Sequence, residues 1–123
     1  MVPENLKYTP EHEWSKLVDG VVVLGITDHA QDQLGDIVFV DLPEEGAAIK
    51  RGDEVIALES TKAAASVYAS VDGTIAAVNN RLSDEPELVN NDCYSAGWMV
   101  KIQPTDPSQL DALLDAAAYE ACL

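Results

Sequence analysis

Basic residues are scarce in this chain. Seven Lys and Arg stand against 22 Asp and Glu, a formal net charge of −15 over 123 residues. Such a surface repels a phosphate backbone and an anionic bilayer, so the expected partners include neither nucleic acid nor membrane. Cysteine is limited to Cys93 and Cys122, without the spacing of a disulfide framework or a CxxC motif. No apolar run approaches the ~20 residues of a membrane span, and the longest, Val21 to Ile26, is strand-sized. Met1 to Asn5 lacks the basic and then apolar stretch of a secretory signal. A reduced, cytoplasmic chain is the expectation. The usual catalytic signatures are also missing: no GxSxG, no GxxxxGK[ST], no HExxH. Hydrophobic residues nonetheless reach 47%, enough for a packed core, and the length suits a single domain over 1–123.

Short apolar runs separated by Gly, Pro, Asn and Asp dominate the first two-thirds of the chain. Glu13–Val18 reads as a half-polar edge strand and Val21–Ile26 as a β-branched strand. Asp36–Asp41, Glu54–Leu58, Thr74–Val78 and Gly97–Ile102 are further strand candidates, and another is centred on Val67-Tyr68. Many short strands predict a mainly β sandwich or barrel-like fold. A short internal helix is predicted over Thr27 to Gly35, with Thr27 or Asp28 as N-cap and Gly35 as its stop. Ser83 to Val89 suggests one helical turn in an acidic loop. A C-terminal helix is predicted over 106–121. Asp106 caps it, Pro107 starts it, Gln109 completes a capping box, and Leu110, Leu113, Leu114, Ala117 and Ala121 form its apolar stripe.

Two places carry potential chemistry. Glu11-His12-Glu13 has the residue types for acid–base work or metal ligation. Strand alternation, however, sends His12 to the face opposite Glu11 and Glu13, which argues against a shared metal and pairs the two carboxylates on one side. His12 then reads as a hydrogen-bonded side chain. Lys62 is the only base between Arg51 and Arg81. Small neighbours surround it, and Gly52 and Gly73 stand almost symmetrically on either side. That pattern predicts a hairpin with an accessible lysine at its tip, open to an enzyme that acylates the amine.

Glu59-Ser60-Thr61-Lys62-Ala63 resembles the lipoylation motif E-S-x-K-A of glycine cleavage system H proteins. Tyr8 to Trp14 is similar to the family's opening Y-T-x-x-H-E-W. Gly25 to Pro43, Pro86 to Asn90, Gly97 to Ile102 and Ala117 to Glu120 resemble further blocks in the same order. The resemblance implies a flattened barrel-sandwich hybrid of lipoyl-domain type with a short internal helix and a C-terminal helix. It also implies a carrier rather than an enzyme. Lipoate would be attached to Lys62, with Glu59, Ser60 and Ala63 as the modification-site motif. The arm would move an aminomethyl group from glycine decarboxylase to the tetrahydrofolate-dependent aminomethyltransferase and be reoxidised by dihydrolipoamide dehydrogenase. Lipoate-attaching enzymes would be further partners. By the same resemblance, Glu13 helps receive the loaded arm, with Glu11 beside it. The chain departs from the pattern at Ala65-Ser66, where the family commonly has an acid after serine, and at Cys93, where proline is frequent. Three other readings stay open: an H-like protein relaying lipoate to other lipoyl enzymes, an unmodified acidic interaction module, and an enzyme built on Glu11, His12 and Glu13.

Overall fold

The computed structural model describes residues 2–123. Among the described residues, nine strands form two antiparallel sheets. The larger has the order β1-β2-β3-β9-β8-β5, from Lys7–Tyr8 (β1), Glu13–Val18 (β2), Val21–Ile26 (β3), Val100–Pro104 (β9), Gly73–Val78 (β8) and Ala48–Ile49 (β5). The smaller has the order β4-β6-β7, from Ile37–Asp41 (β4), Glu54–Ser60 (β6) and Ala64–Tyr68 (β7). The main core lies between them. Leu24, Ile56, Leu58, Val67, Ile75 and Ile102 are nearly fully buried there, each contributed by an inward-facing strand position. The architecture is mainly β and sandwich-like, with the sheets left open rather than closed into a barrel.

A second cluster forms where the chain ends meet. Tyr8, Trp14 and Tyr119 pack with Val2, Leu6 and Ala116, and the rings of Tyr8 and Tyr119 stack at 4.7 Å. β2 is therefore not a simple edge strand. Its first half, Glu13 to Ser15, is buried, because β1 pairs with Ser15 and Trp14. Only the second half is exposed, as a ribbon with β3 that turns through Asp19-Gly20, both at positive φ, as a two-residue hairpin requires.

Helix α1, Asp28–Leu34, has the predicted caps. The Thr27 side chain accepts from Ala30 N–H, and Gly35 at φ 77° ends it. The acidic loop holds two short helices rather than one, α2 at Arg81–Asp84 and α3 at Leu88–Asn91, divided around Pro86. The C-terminal prediction needs a larger correction. A 3-10 helix spans Pro107–Ala112, Leu113 is extended, and only Ala116–Glu120 (α4) is α-helical. Leu114 breaks the predicted helix by exchanging two 2.8 Å backbone hydrogen bonds with Tyr8. Asp115 then starts a new helix by accepting from Ala118 N–H at 2.8 Å. Asp106 caps the 3-10 segment as predicted, but Gln109 accepts from Asp72 N–H at 2.8 Å instead of closing a capping box. Ala117 and Ala121 are exposed, while Ala116 and Tyr119 face inward.

Candidate functional site

β6 and β7 form the predicted hairpin, with Glu59 opposite Ala64 and Lys62 exposed on the connecting turn. Ser60 organises that turn. Its N–H donates to Ala63 O at 2.8 Å, and its hydroxyl oxygen accepts from Lys62 N–H at 3.2 Å and Ala63 N–H at 3.0 Å. The backbone donors of Ser60, Lys62 and Ala63 are thus satisfied within the turn, and the lysine side chain takes no part in holding it.

The tip is also held from outside. Thr61 N–H donates to Asp36 O at 3.0 Å. Asp36 lies in the turn between α1 and β4, and Asn90 on α3 fixes that turn. The Asn90 carbonyl accepts from Ile37 N–H at 2.9 Å, and its amide donates to Gly35 O at 2.8 Å and to Gln31 Oε1 at 3.0 Å. The Lys62 stem runs along the same turn. A Cβ built on Gly35 would lie 3.4 Å from Lys62 Cε and 3.4 Å from Thr61 Oγ1. Gly35 therefore does two jobs: it ends α1 at positive φ and gives the lysine methylenes a flat surface.

Glu11 and Glu13 are brought together, for a different reason than strand alternation. β2 begins only at Glu13, and His12 sits at φ 70°, outside extended geometry. Glu11, His12 and Glu13 consequently all line one cavity of about 160 Å³, whose other walls include Ala30, Leu34, Leu58, Ala65 and Ser66. Glu11 is exposed on its rim. Glu13 is buried, accepting from Thr9 Oγ1 at 3.0 Å and from Tyr68 N–H at 2.5 Å. Burial pushes its carboxyl up to about 6, against the opposing effect of those two hydrogen bonds. A larger cavity of about 620 Å³, lined in part by Tyr8, Arg51, Tyr68 and Leu113, also reaches the same two glutamates.

His12 is hydrogen-bonded, as expected, with Nδ1 2.7 Å from Tyr119 Oη, which also lies 2.8 Å from Thr27 Oγ1. Its ring contacts His29 at 4.5 Å. Burial, with a smaller contribution from His29, moves its pKa down, so the neutral form is favoured. Among the described residues no group of three or more His, Cys, Asp or Glu side chains is arranged to hold a metal ion. Ser66 donates to Glu54 Oε1 at 2.8 Å, which brings a carboxylate beside the position that itself lacks one.

Asn90, Thr9 and Tyr68 escaped the sequence reading as site residues. Asn90 acts on groups 53 to 59 residues away, and Tyr68 contributes only a backbone N–H. No local pattern announces either. The one available signal was Gly35-Asp36 between a capped helix and a strand, which marks a tight turn but not what leans on it.

The family model described as "Glycine cleavage H-protein" matches residues 6–123. A glycine cleavage system H protein from Escherichia coli O9:H4 (strain HS) is 57% identical over 123 residues, covering 99% of this chain and 95% of that protein. The protein of the same name from Salmonella newport (strain SL254) matches at the same identity and coverage. Among solved structures, a glycine cleavage system H protein from Mycobacterium marinum superimposes with a TM-score of 0.88 at 38% identity, covering 97% of this chain and 96% of that one. A family match across nearly the whole chain, on a fold that presents Lys62 on an open turn, means that this chain belongs to the glycine cleavage H-protein family.

Proposed function

We propose that this chain is the lipoyl carrier of a glycine cleavage system, with Lys62 as its attachment residue and residues 1–123 acting as one carrier domain. Glycine cleavage H-proteins carry covalently attached lipoate, are not themselves catalysts, and work with glycine decarboxylase, aminomethyltransferase and dihydrolipoamide dehydrogenase. The observation that carries the assignment of Lys62 is its exposed amine on a turn already satisfied by Ser60 and anchored through Thr61. Acylation can take that amine without breaking any contact that holds the fold.

The residues present fit a lipoyl arm. The 160 Å³ cavity has apolar walls from Ala30, Leu34, Leu58 and Ala65, suited to a hydrocarbon chain, and carries the Glu13 carboxylate, suited to a cation. When bound, the group would supply two sulfurs that cycle between a closed disulfide and an open dithiol, one of which carries the one-carbon amine unit when the ring is open. The protein's share is positioning. Ser60 shapes the tip, Ala63 and Ala64 keep it uncrowded, and Glu59 adds an exposed carboxylate on β6, the strand that leads into the lysine's turn. Glu13 is our candidate for holding the amine end as ammonium, because a carboxylate in a dry site favours the charged partner. Glu11 lies at the rim of the same cavity and is its candidate helper.

No helix among the described residues is long and apolar enough to cross a membrane. A cytoplasmic setting is part of this proposal, and it rests on the two free thiols, Cys93 buried and Cys122 exposed. The test is the intact mass of the protein from its native host. One lipoyl addition is expected, mapping to the peptide that contains Lys62 and lost in Lys62→Arg. An unmodified mass, or lipoate on another lysine, would overturn the assignment.

A further inference from the structure

Few large apolar side chains are left in solvent, and two of them are neighbours beside the hairpin tip. Val38 is 53% exposed and Phe39, the only phenylalanine in the chain, is 52% exposed. Both lie on β4, the edge strand next to β6. Phe39 pairs with Glu59, which pairs with Ala64, so these three exposed residues form one row across the small sheet. Ile37, two residues earlier, pairs with Ser60 of the tip itself. The Lys62 stem leans over Gly35, toward the turn from which β4 starts. The patch therefore flanks the side of the tip on which the lysine lies. Asp36, Asp41 and Glu59 surround it, all exposed.

We propose that Val38 and Phe39 form the docking patch for the enzyme that acylates Lys62, and that this enzyme meets them with an apolar pocket rimmed by basic residues. The inference rests on Lys62 being the attachment residue. Geometry selects this partner over the others. The neutral Nζ attacks the carbonyl of an activated acyl donor, an acyl–nucleotide mixed anhydride. The C–N bond forms, the C–O bond to phosphate breaks, the nucleotide leaves with the electron pair, and the surplus amine proton goes to solvent. A lysine reaches only about 6 Å beyond its Cα, so the acylating enzyme must cover the residues around the tip. Enzymes that work on the far end of a completed arm have no such constraint. Charge selects the rim, since three carboxylates and no other base border the patch on a chain of charge −15. A second copy of this chain fits poorly. The register shift between Ile37 and Phe39 breaks the β4 ladder, and two such copies repel.

The test uses full-length apo-protein with a lipoate-activating ligase, lipoate and ATP. Phe39→Ser and Val38→Ser are compared with wild type, with Phe39→Leu as the conservative variant. Leu17→Ser is the control, since Leu17 is 48% exposed on the other sheet. The expected result for Phe39→Ser is a KM for the protein substrate raised about tenfold, with kcat unchanged. Phe39→Leu should recover most of the loss, and Leu17→Ser should behave as wild type. Calorimetric binding of the ligase to the non-acylatable Lys62→Arg protein should weaken by the same factor when Phe39→Ser is added. Thermal midpoints should stay close to wild type throughout. Unchanged KM and affinity in Phe39→Ser would overturn the docking patch while leaving Lys62 as the attachment site. Failure of wild type to be acylated at Lys62 would instead overturn the carrier reading, and the patch with it. A wild-type dimer in sedimentation that Phe39→Ser dissociates would reassign the patch to self-association.

Discussion

Glu13 of β2 accepts the backbone N–H of Tyr68 of β7 at 2.5 Å, joining the larger sheet to the hairpin that carries Lys62. One buried carboxylate thus lies at the seam between the two sheets and in the wall of the candidate arm cavity. Its titration should be visible in both folding and function.

A carboxyl whose folded pKa is raised to about 6 from 4.5 holds its proton more tightly in the folded state. The stability this confers is complete below the unfolded value and is lost as pH rises through the folded one. In the window from 4.5 to 6 wild type should lose about 2 kcal/mol relative to Glu13→Gln, which has nothing to ionise there. Urea unfolding of both proteins at pH 4.5, 5.5 and 6.5 checks this. A constant difference across the series would mean that Glu13 does not titrate in that range.

The same substitution tests the arm cavity. Protein charged with its one-carbon unit should lose that unit about tenfold faster in Glu13→Gln than in wild type, for a lost stabilisation near 1.4 kcal/mol. Glu11→Gln should have a smaller effect, because Glu11 is exposed and its charge is screened by water. The measurement is the decay of charged protein at fixed neutral pH without the transferase. Equal decay in all three proteins would reduce both glutamates to structural or solvated roles.

Asn90 should act on the tip at a distance. Asn90→Ala removes an acceptor from Ile37 N–H and donors to Gly35 O and Gln31 Oε1. The expected cost is about 1–3 kcal/mol of stability. Hydrogen exchange at the Thr61 amide should accelerate, because its acceptor, Asp36 O, belongs to the loosened turn. Exchange at Thr61 unchanged beyond the global loss of stability would show that the tip is held independently.

Trp14 tests the second core. A Cβ on Gly25 would fall 2.7 Å from three atoms of the Trp14 indole, whose N–H donates to Cys93 O at 2.9 Å. That hydrogen bond and the burial of the ring oppose its sliding away. Gly25→Ala should therefore destabilise by about 1–3 kcal/mol through overpacking, read as a lowered urea midpoint at unchanged slope. Trp14 fluorescence should shift in the folded protein of the same variant.

The features legible in the sequence are those built from residues near one another along the chain. Thr27 and Gly35 bound a helix whose caps are closed within a few residues. The Lys62 turn is closed by Ser60 and Ala63, so small residues between two apolar runs were enough to expose its lysine. Alternation and turn chemistry likewise marked most strands, because burying one face of a sheet imposes a period that any short segment displays. The tertiary structure decided what depended on distant partners. Tyr8 breaks the C-terminal helix at Leu114, a pairing between opposite ends of the chain that outweighs an apolar stripe at helical spacing. The positive φ of His12 turns Glu11, His12 and Glu13 toward one cavity, against the alternation that their spacing implies. Asn90 secures a turn more than fifty residues before it, and Glu13 finds its donor on the other sheet. Hydrogen-bond partners of buried polar groups are settled by which segments pack together, and that packing is a property of the whole core rather than of any local run of residues.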